Sequence, residues 1–289
     1  MVEHHQLWLN RRLRPVTVEP VIVIQKTHIT DESLLEHRFI KPSLLNPQSQ
    51  NLLEPAQCEL GLVEGILTLT RLDAFNQKPM TSLDLVKEWH QRARSLRGKK
   101  EPLARAFGLH KRTLTGPIVD TTAGLGRDSI VLAQLGPDII MLERELSLAC
   151  LLDQALTLAK QESWFAPIAS KITLHHQEAL EFLAPLAQEN ALERIGGFYC
   201  DPMFEHKKNK SANNKRLVQN LQFLCSRDEE QPLPLQLLAW LKPNQRLVVK
   251  RAPQELPLEE ALTHQVEGKA FRLDVHFKAP ISSTSQDSA

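Results

Sequence analysis

The chain has 289 residues, 42% hydrophobic and 24% charged, which excludes a fully disordered protein and fits one large domain or two smaller ones. Its 35 basic and 34 acidic side chains leave a net charge of +1, so any case for a polyanionic partner must come from the distribution of charge. No apolar run approaches the roughly 18 residues of a membrane span, residues 1–14 lack the apolar core of a signal peptide, and the four cysteines form no CxxC pair, which predicts a cytoplasmic protein with no membrane contact, no zinc site and no disulfide framework.

In chain order, residues 16–24 alternate around Pro20 and predict short strands. Residues 42–55, rich in Pro, Asn, Gln and Ser, predict a loop. Residues 60–72 read as two strands around Glu64-Gly65, because Ile66, Leu67, Thr68, Leu69 and Thr70 suit a pleated surface. A helix is expected over 81–97, capped by Thr81 or Ser82, with Leu83, Val86, Trp89 and Ala93 at helical spacing. A short helix over 101–107 should end at Gly108. From Gly116 onward strands and helices alternate. Strands are expected at 117–120, 138–142, 172–174, 198–200 and 247–249, with helices at 127–135, 146–161, 179–187, 213–225 and 233–241. This alternation predicts a parallel sheet covered by helices on both faces. Residues 263–267 and 270–277 flank Gly268 and predict two final antiparallel strands. The division is therefore 1–115, an α+β extension, then 116–280, an α/β domain, and a disordered polar tail at 281–289.

The sharpest signal is the run from Val119 to Asp128, in which Asp120 ends a strand, Gly124 and Gly126 make a tight turn, and a helix begins at Arg127. A Walker loop would need Gly-Lys-Ser/Thr, and a dinucleotide fingerprint would need a third glycine where Ser129 stands. The DxxxGxG loop of S-adenosylmethionine (SAM) enzymes fits, since SAM offers an ammonium and a carboxylate to an acidic strand end beside helix-start amides. Glu143 ends the second strand and can accept from both ribose hydroxyls, although an acid there also suits a helix start. After the third strand Glu178 is the candidate for the adenine. His175 and His176 should point to opposite faces, which argues against a metal pair.

The fourth strand ends in Asp201-Pro202-Met203-Phe204. It resembles the Asp/Asn-Pro-Pro-Tyr/Phe motif of enzymes that methylate exocyclic or amide nitrogens. Asp201 and the Pro202 carbonyl can accept the two hydrogens of a planar amine, and Phe204 can stack on a base drawn from its helix. The alternative is a strand ending in a proline turn with a buried Phe. Lys207, Lys208 and Lys210 follow at once and are placed to hold phosphates. A second basic cluster between Lys87 and Arg112 includes Arg92 and Arg94, and its plainer reading is a solvated helix face.

The segments DTTAGLGRDSIVLAQLG, MLERE, YCDPMFEHKKNKSA and RLVVKRAP, in this order, resemble the RsmJ family of bacterial 16S ribosomal RNA guanine-N2 methyltransferases. The resemblance implies a Rossmann-like class I SAM-dependent methyltransferase fold, SAM as donor with S-adenosylhomocysteine as product, no metal, and 16S ribosomal RNA or the small ribosomal subunit as partner. It implies cofactor contacts at Arg127, Asp128, Glu143, Arg144, Glu178, Ala179 and Asp201, beside Asp120, Gly124 and Gly126. The chain departs from the family pattern at Glu178-Ala179, where small hydroxylated residues are usual, and at residues 91–98, where glycines are usual. Adenine-N6 or protein-glutamine methylation, and a non-catalytic RNA-binding or assembly protein on the same fold, stay open as alternatives.

Overall fold

The computed structural model describes residues 27–29, 37–39, 58–71, 80–94, 96, 98–202, 233–258 and 262–279. The expected strands at 16–24, the loop at 42–55, the helix at 213–225, the tail at 281–289 and residues 203–210 lie outside the described residues.

Seven strands form the main sheet: β5 (Ile118–Asp120), β6 (Ile139–Glu143), β7 (Ile172–His176), β8 (Gly197–Cys200), β9 (Arg246–Arg251), β10 (Leu262–Glu267) and β11 (Arg272–Phe277). Their order is β10-β11-β9-β8-β5-β6-β7. The pairs from β9 to β7 are parallel, and β11 is antiparallel to both β9 and β10. These central strands are apolar runs because both of their faces are covered. Successive residues alternate between two cores. Ile118, Met141, Tyr199 and Val248 face one. Val119, Ile140, Leu142, Phe198, Cys200, Leu247 and Val249 face the other. Strand order runs outward from β5 in both directions, so the carboxyl ends of β5 and β8 bound the crevice where ligands bind in open α/β sheets.

Helices α3 (Arg127–Gln134) and α4 (Leu146–Ala159) bury their apolar faces in the first core. Helices α6 (Ala179–Gln188) and α7 (Leu233–Trp240) cover the second. A four-residue helix, α5 (Ala166–Ala169), precedes β7 and was too short to leave a periodic signal. The chain enters β5 and β8 through facing glycines: a Cβ on Gly116 would sit on the Arg194 carbonyl oxygen, and one on Gly196 on the Gly116 carbonyl. Gly116→Ala should cost about 1–3 kcal/mol of strain and lower the melting temperature by about 3–10 °C. An unchanged melt by circular dichroism would show that this crossing yields easily.

A second sheet, in the order β1 (Thr27–Ile29), β2 (Cys58–Val63), β3 (Ile66–Arg71) and β4 (Met80–Thr81), lies before the main one in sequence. The β2–β3 hairpin turns at Glu64 and Gly65, with φ of 53° and 78°, which gives the two-residue turn that matches strand twist. Gln154 of α4 holds this hairpin, accepting from Leu67 N at 2.7 Å and donating to Gly65 O at 3.1 Å. The expected helix over 81–97 is shorter, α1 (Leu85–Ala93), and Asp84 caps it by accepting from Lys87 N at 2.9 Å. Thr81 pairs in β4 instead, so neither Thr81 nor Ser82 is the cap. Helix α2 (Pro102–Phe107) ends at Gly108 as expected. Leu60, Leu67, Leu69, Leu85, Trp89, Leu103 and Phe107 all join the first core of the main sheet. That packing sets α1 against α3, beside the crevice.

Candidate active site

The crevice is lined by strand ends that stop in polar residues. Asp120 closes β5 and is 2% exposed. Its Oδ1 accepts from Thr122 N at 3.1 Å and its Oδ2 from Ser129 Oγ at 2.5 Å. Ser129, where a dinucleotide fold would carry glycine, thus has a positive role: it fastens the first turn of α3 to the strand end. The turn between them needs left-handed backbone at Gly124 (φ 53°) and Gly126 (φ 70°). A Cβ on Gly126 would also press on Leu152 Cδ2 at 3.0 Å, whereas one on Gly124 would meet only Thr122 O at 3.8 Å. The first glycine is therefore open on its outer side, as a ligand-facing turn requires.

Glu143 closes β6 and is 5% exposed. Its Oε2 accepts from Gly124 N and its Oε1 from Glu145 N, both at 2.8 Å. Burial pushes Asp120 up to about 7, against the Ser129 and Thr122 hydrogen bonds and with help from Asp128 and Asp201. Burial likewise pushes Glu143 up to about 7, against its two amide donors. Both carboxylates are served by neutral donors among the described residues. A ligand bringing a cation and hydroxyl donors would complete them, so this donor set fits the amino-acid and ribose parts of SAM.

Asp201 follows β8, and its backbone N donates to Thr122 Oγ1 at 2.7 Å, which ties it to the β5 loop. Lys250 of β9 reaches between two acids, with Nζ 2.7 Å from Asp201 Oδ2 and 2.7 Å from Asp128 Oδ2. Asp128, in the first turn of α3, also accepts from the Tyr199 hydroxyl at 2.6 Å and pairs with Arg92 at 3.2 Å. Burial opposes ionisation of Asp128, but Lys250 and Arg92 outweigh it and hold the carboxyl below its usual range. Burial also opposes the Lys250 charge, and Asp128 and Asp201 outweigh it, so the ammonium is held on. The result is a charged chain, Arg92–Asp128–Lys250–Asp201, running from α1 through the α3 loop to the end of β8.

The remaining expected residues fall as follows. Arg127 is paired with Glu88 of α1, at 2.8 and 2.9 Å. Glu178 caps α6, its Oε2 accepting from Leu180 N at 2.6 Å and Glu181 N at 3.0 Å. Ala179 is buried against the second core. Arg144 is half-buried just beyond Glu143, and its carbonyl lies 3.1 Å from His176 Nε2. Pro202 is half-buried beside Asp201. Arg94, the C-cap of α1, is exposed, whereas Arg92 is drawn inward by Asp128 and Glu101. Phe204, Lys207, Lys208 and Lys210 lie outside the described residues. His175 packs its ring on Phe182 at 5.0 Å, and His176 on Phe39 at 5.8 Å, on opposite faces. Among the described residues no group of three His, Cys, Asp or Glu is arranged to hold a metal ion.

Sequence reasoning missed Lys250, Tyr199 and Thr122. Lys250 left one signal, a lysine breaking the apolar run Leu247-Val248-Val249 inside a strand.

Comparison with known proteins identifies the family and the fold. A family described as "Putative SAM-dependent methyltransferase" matches residues 47–278. Ribosomal RNA small subunit methyltransferase J of Nitrosococcus oceani is 36% identical over 186 residues, covering 64% of this chain and 71% of the relative. The protein of the same name from Bdellovibrio bacteriovorus is 36% identical over 181 residues, covering 62% and 67%. Among solved structures, a SAM-dependent methyltransferase from Neisseria gonorrhoeae superimposes with a TM-score of 0.54, over 82% of this chain and 90% of that one. At 24% identity that likeness is one of fold.

Proposed function

The chain belongs to the SAM-dependent methyltransferase family that includes ribosomal RNA small subunit methyltransferase J, and from that premise we propose that it methylates the exocyclic N2 of a guanine in 16S ribosomal RNA. The observation that carries transfer to a planar nitrogen is Asp201-Pro202 at the end of β8, tied to the β5 loop through Thr122 and to Asp128 through Lys250, while guanine N2 follows the family resemblance. No helix among the described residues is long and apolar enough to cross a membrane. The proposed place of action is the cytoplasm, on the small subunit or its RNA.

In this reading Glu143 takes the ribose hydroxyls and Asp120 faces the amino-acid ammonium, while the Gly124–Gly126 turn lets the backbone come close. Arg127, Asp128, Arg144, Glu178 and Ala179 complete the cofactor side, as the family resemblance implies. When bound, SAM supplies a methyl group on a good leaving group, so the protein's task is positioning. The guanine amino nitrogen is a weak nucleophile because its lone pair is shared with the ring. Asp201 and the Pro202 carbonyl accept its two hydrogens and turn that lone pair toward the methyl. Bound SAM would supply the methyl to N2 and leave as S-adenosylhomocysteine, and Asp201 is placed as the first acceptor for the proton that N2 gives up. Phe204 stacks on the extruded base, and Lys207, Lys208, Lys210 and Arg94 are assigned to the RNA side, while Arg92 is held inward by Asp128. Residues 116–280 form the transfer unit, and residues 1–115 extend its substrate surface.

The test uses SAM labelled in the methyl group with small subunits, and with their naked RNA, from a strain lacking the gene. Digestion should yield labelled N2-methylguanosine. Labelled N6-methyladenosine, or label in protein, would move the assignment to the other amine or amide substrates. S-adenosylhomocysteine at 100 times its Kd should add about 2.7 kcal/mol of stability; no thermal shift would remove the cofactor from the reading.

A further inference from the structure

At the far end of the sheet from Asp201, cations gather around the start of β9. Arg246 begins β9 and stands opposite Phe277 in the β9–β11 register. Its guanidinium lies 5.3 Å from the Phe277 ring centre, and that of Arg112 lies 5.9 Å from the same ring. Each head is fixed by a neutral carbonyl: Arg246 donates to Ala106 O at 2.7 Å and Arg112 to Asn244 O at 3.2 Å. Arg105 of α2, Lys111, His264 and Lys278 are exposed around them. Among the described residues no carboxylate is within ion-pair distance of Arg105, Arg112 or Arg246. The crowding shows in their chemistry. Burial and Arg112 push the Arg246 proton affinity down, and burial, Arg246 and Arg105 push His264 down.

A fold gains nothing by assembling like charges on its own surface. Several other arginines have acid partners: Arg127 has Glu88, Arg251 has Glu255 and Asp274, and Arg272 has Asp274. Here two guanidiniums lie over one ring and are held by carbonyls, which fixes their direction, and no carboxylate among the described residues neutralises them. Planar forked donors of this kind suit phosphate oxygens. From Arg246 to Lys250 the strand advances four residues, roughly 13 Å at about 3.3 Å each.

We propose that Arg105, Lys111, Arg112 and Arg246 form a docking surface for the phosphodiester backbone of the substrate RNA, at the amino ends of the strands and away from the reaction centre. The inference rests on the ribosomal RNA reading above. The patch touches backbone only, so it adds affinity and register while base choice stays with the crevice.

The test compares wild type with Arg105→Gln/Lys111→Gln, both exposed, and with the triple variant that adds Arg112→Gln. Filter binding to a small-subunit ribosomal RNA transcript is followed from 50 to 200 mM salt. The double variant should flatten the log–log salt slope by about two units and the triple by about three. At 100 mM salt the double variant should bind about tenfold more weakly, with unchanged affinity for S-adenosylhomocysteine. An unaltered slope in a folded variant overturns the surface and leaves an acidic protein as its partner. Equal loss of RNA and S-adenosylhomocysteine binding overturns it too, as general damage. A wild type that binds RNA through this patch but transfers no methyl would instead defeat the proposed function and leave the patch standing.

Discussion

Asp201→Ala should lower methyl transfer to ribosomal RNA by about 10²–10³-fold, the usual cost of removing one group that acts in the transition state. The site explains why the loss falls on turnover. Asp201 is 38% exposed on its side chain, so its removal leaves no large cavity. Its backbone bond to Thr122 does not involve the carboxylate and survives the change. The SAM loop is built on Asp120, Ser129 and Glu143, none of which needs Asp201. The variant should therefore fold, and since Asp201 is also an implied cofactor contact, S-adenosylhomocysteine affinity should fall, but by much less than kcat. Near-normal turnover would reduce Asp201-Pro202 to a strand-ending turn.

Lys250 sharpens the same experiment. Lys250→Met removes the cation between Asp128 and Asp201 and leaves two acids facing each other without it. It also removes the first of the two cations that hold Asp128 below the usual carboxylate range. The acid limb of the rate profile should then move to higher pH, and Lys250→Arg should restore part of the wild-type profile because it keeps the charge. A uniform loss at every pH would mean that Lys250 only braces the fold.

The contrast between Asp201 and Lys250 shows what the amino-acid sequence discloses. Strands buried on both faces, such as β6 and β8, announce themselves as apolar runs, and the acids that end them sit where ligand chemistry wants them. The positions of Asp120, Glu143 and Asp201 at those strand ends were legible for that reason. Lys250 acts across the sheet, toward a residue 122 positions earlier and another 49 earlier, and no local period encodes such a pairing. Arg92 was read with its basic neighbours as part of a surface, yet its helical phase on α1 turns it to Asp128 while Arg94 stays outside. Glu178 was read from its place after the third strand. Its carboxylate also satisfies two free amides of α6, a capping duty more usual for Asp, Asn, Ser or Thr. The cap of α1 went to Asp84 over Thr81 and Ser82 because β3 claims Thr81 as a strand partner. Pairing between distant segments overrode the local preference.

The affinity for S-adenosylhomocysteine should rise by up to about 100-fold between pH 6 and pH 8. Asp120 and Glu143 both titrate near 7 in the free protein, because burial disfavours their charged forms. At pH 6 each is mostly protonated, and at pH 8 each is mostly ionised. An ammonium beside Asp120 and ribose hydroxyls on Glu143 both favour the ionised carboxylate. Binding at pH 6 must therefore expel protons, and each group contributes about tenfold per pH unit below its pKa. Stability of the free protein runs the other way. A carboxyl whose folded pKa is raised contributes stability that is complete below its unfolded value near 4, and that is lost as pH rises through about 7. The free protein should thus lose stability from pH 5 to pH 8 through these two groups, while the thermal shift produced by the ligand grows. Calorimetry in buffers of different ionisation heat measures the protons directly: nearly two released per ligand at pH 6 and few at pH 8. Glu143→Gln, which cannot titrate, should remove one of the two and halve the slope of log affinity against pH. Affinity independent of pH, with no proton release, would show that the buried acids do not face the cofactor.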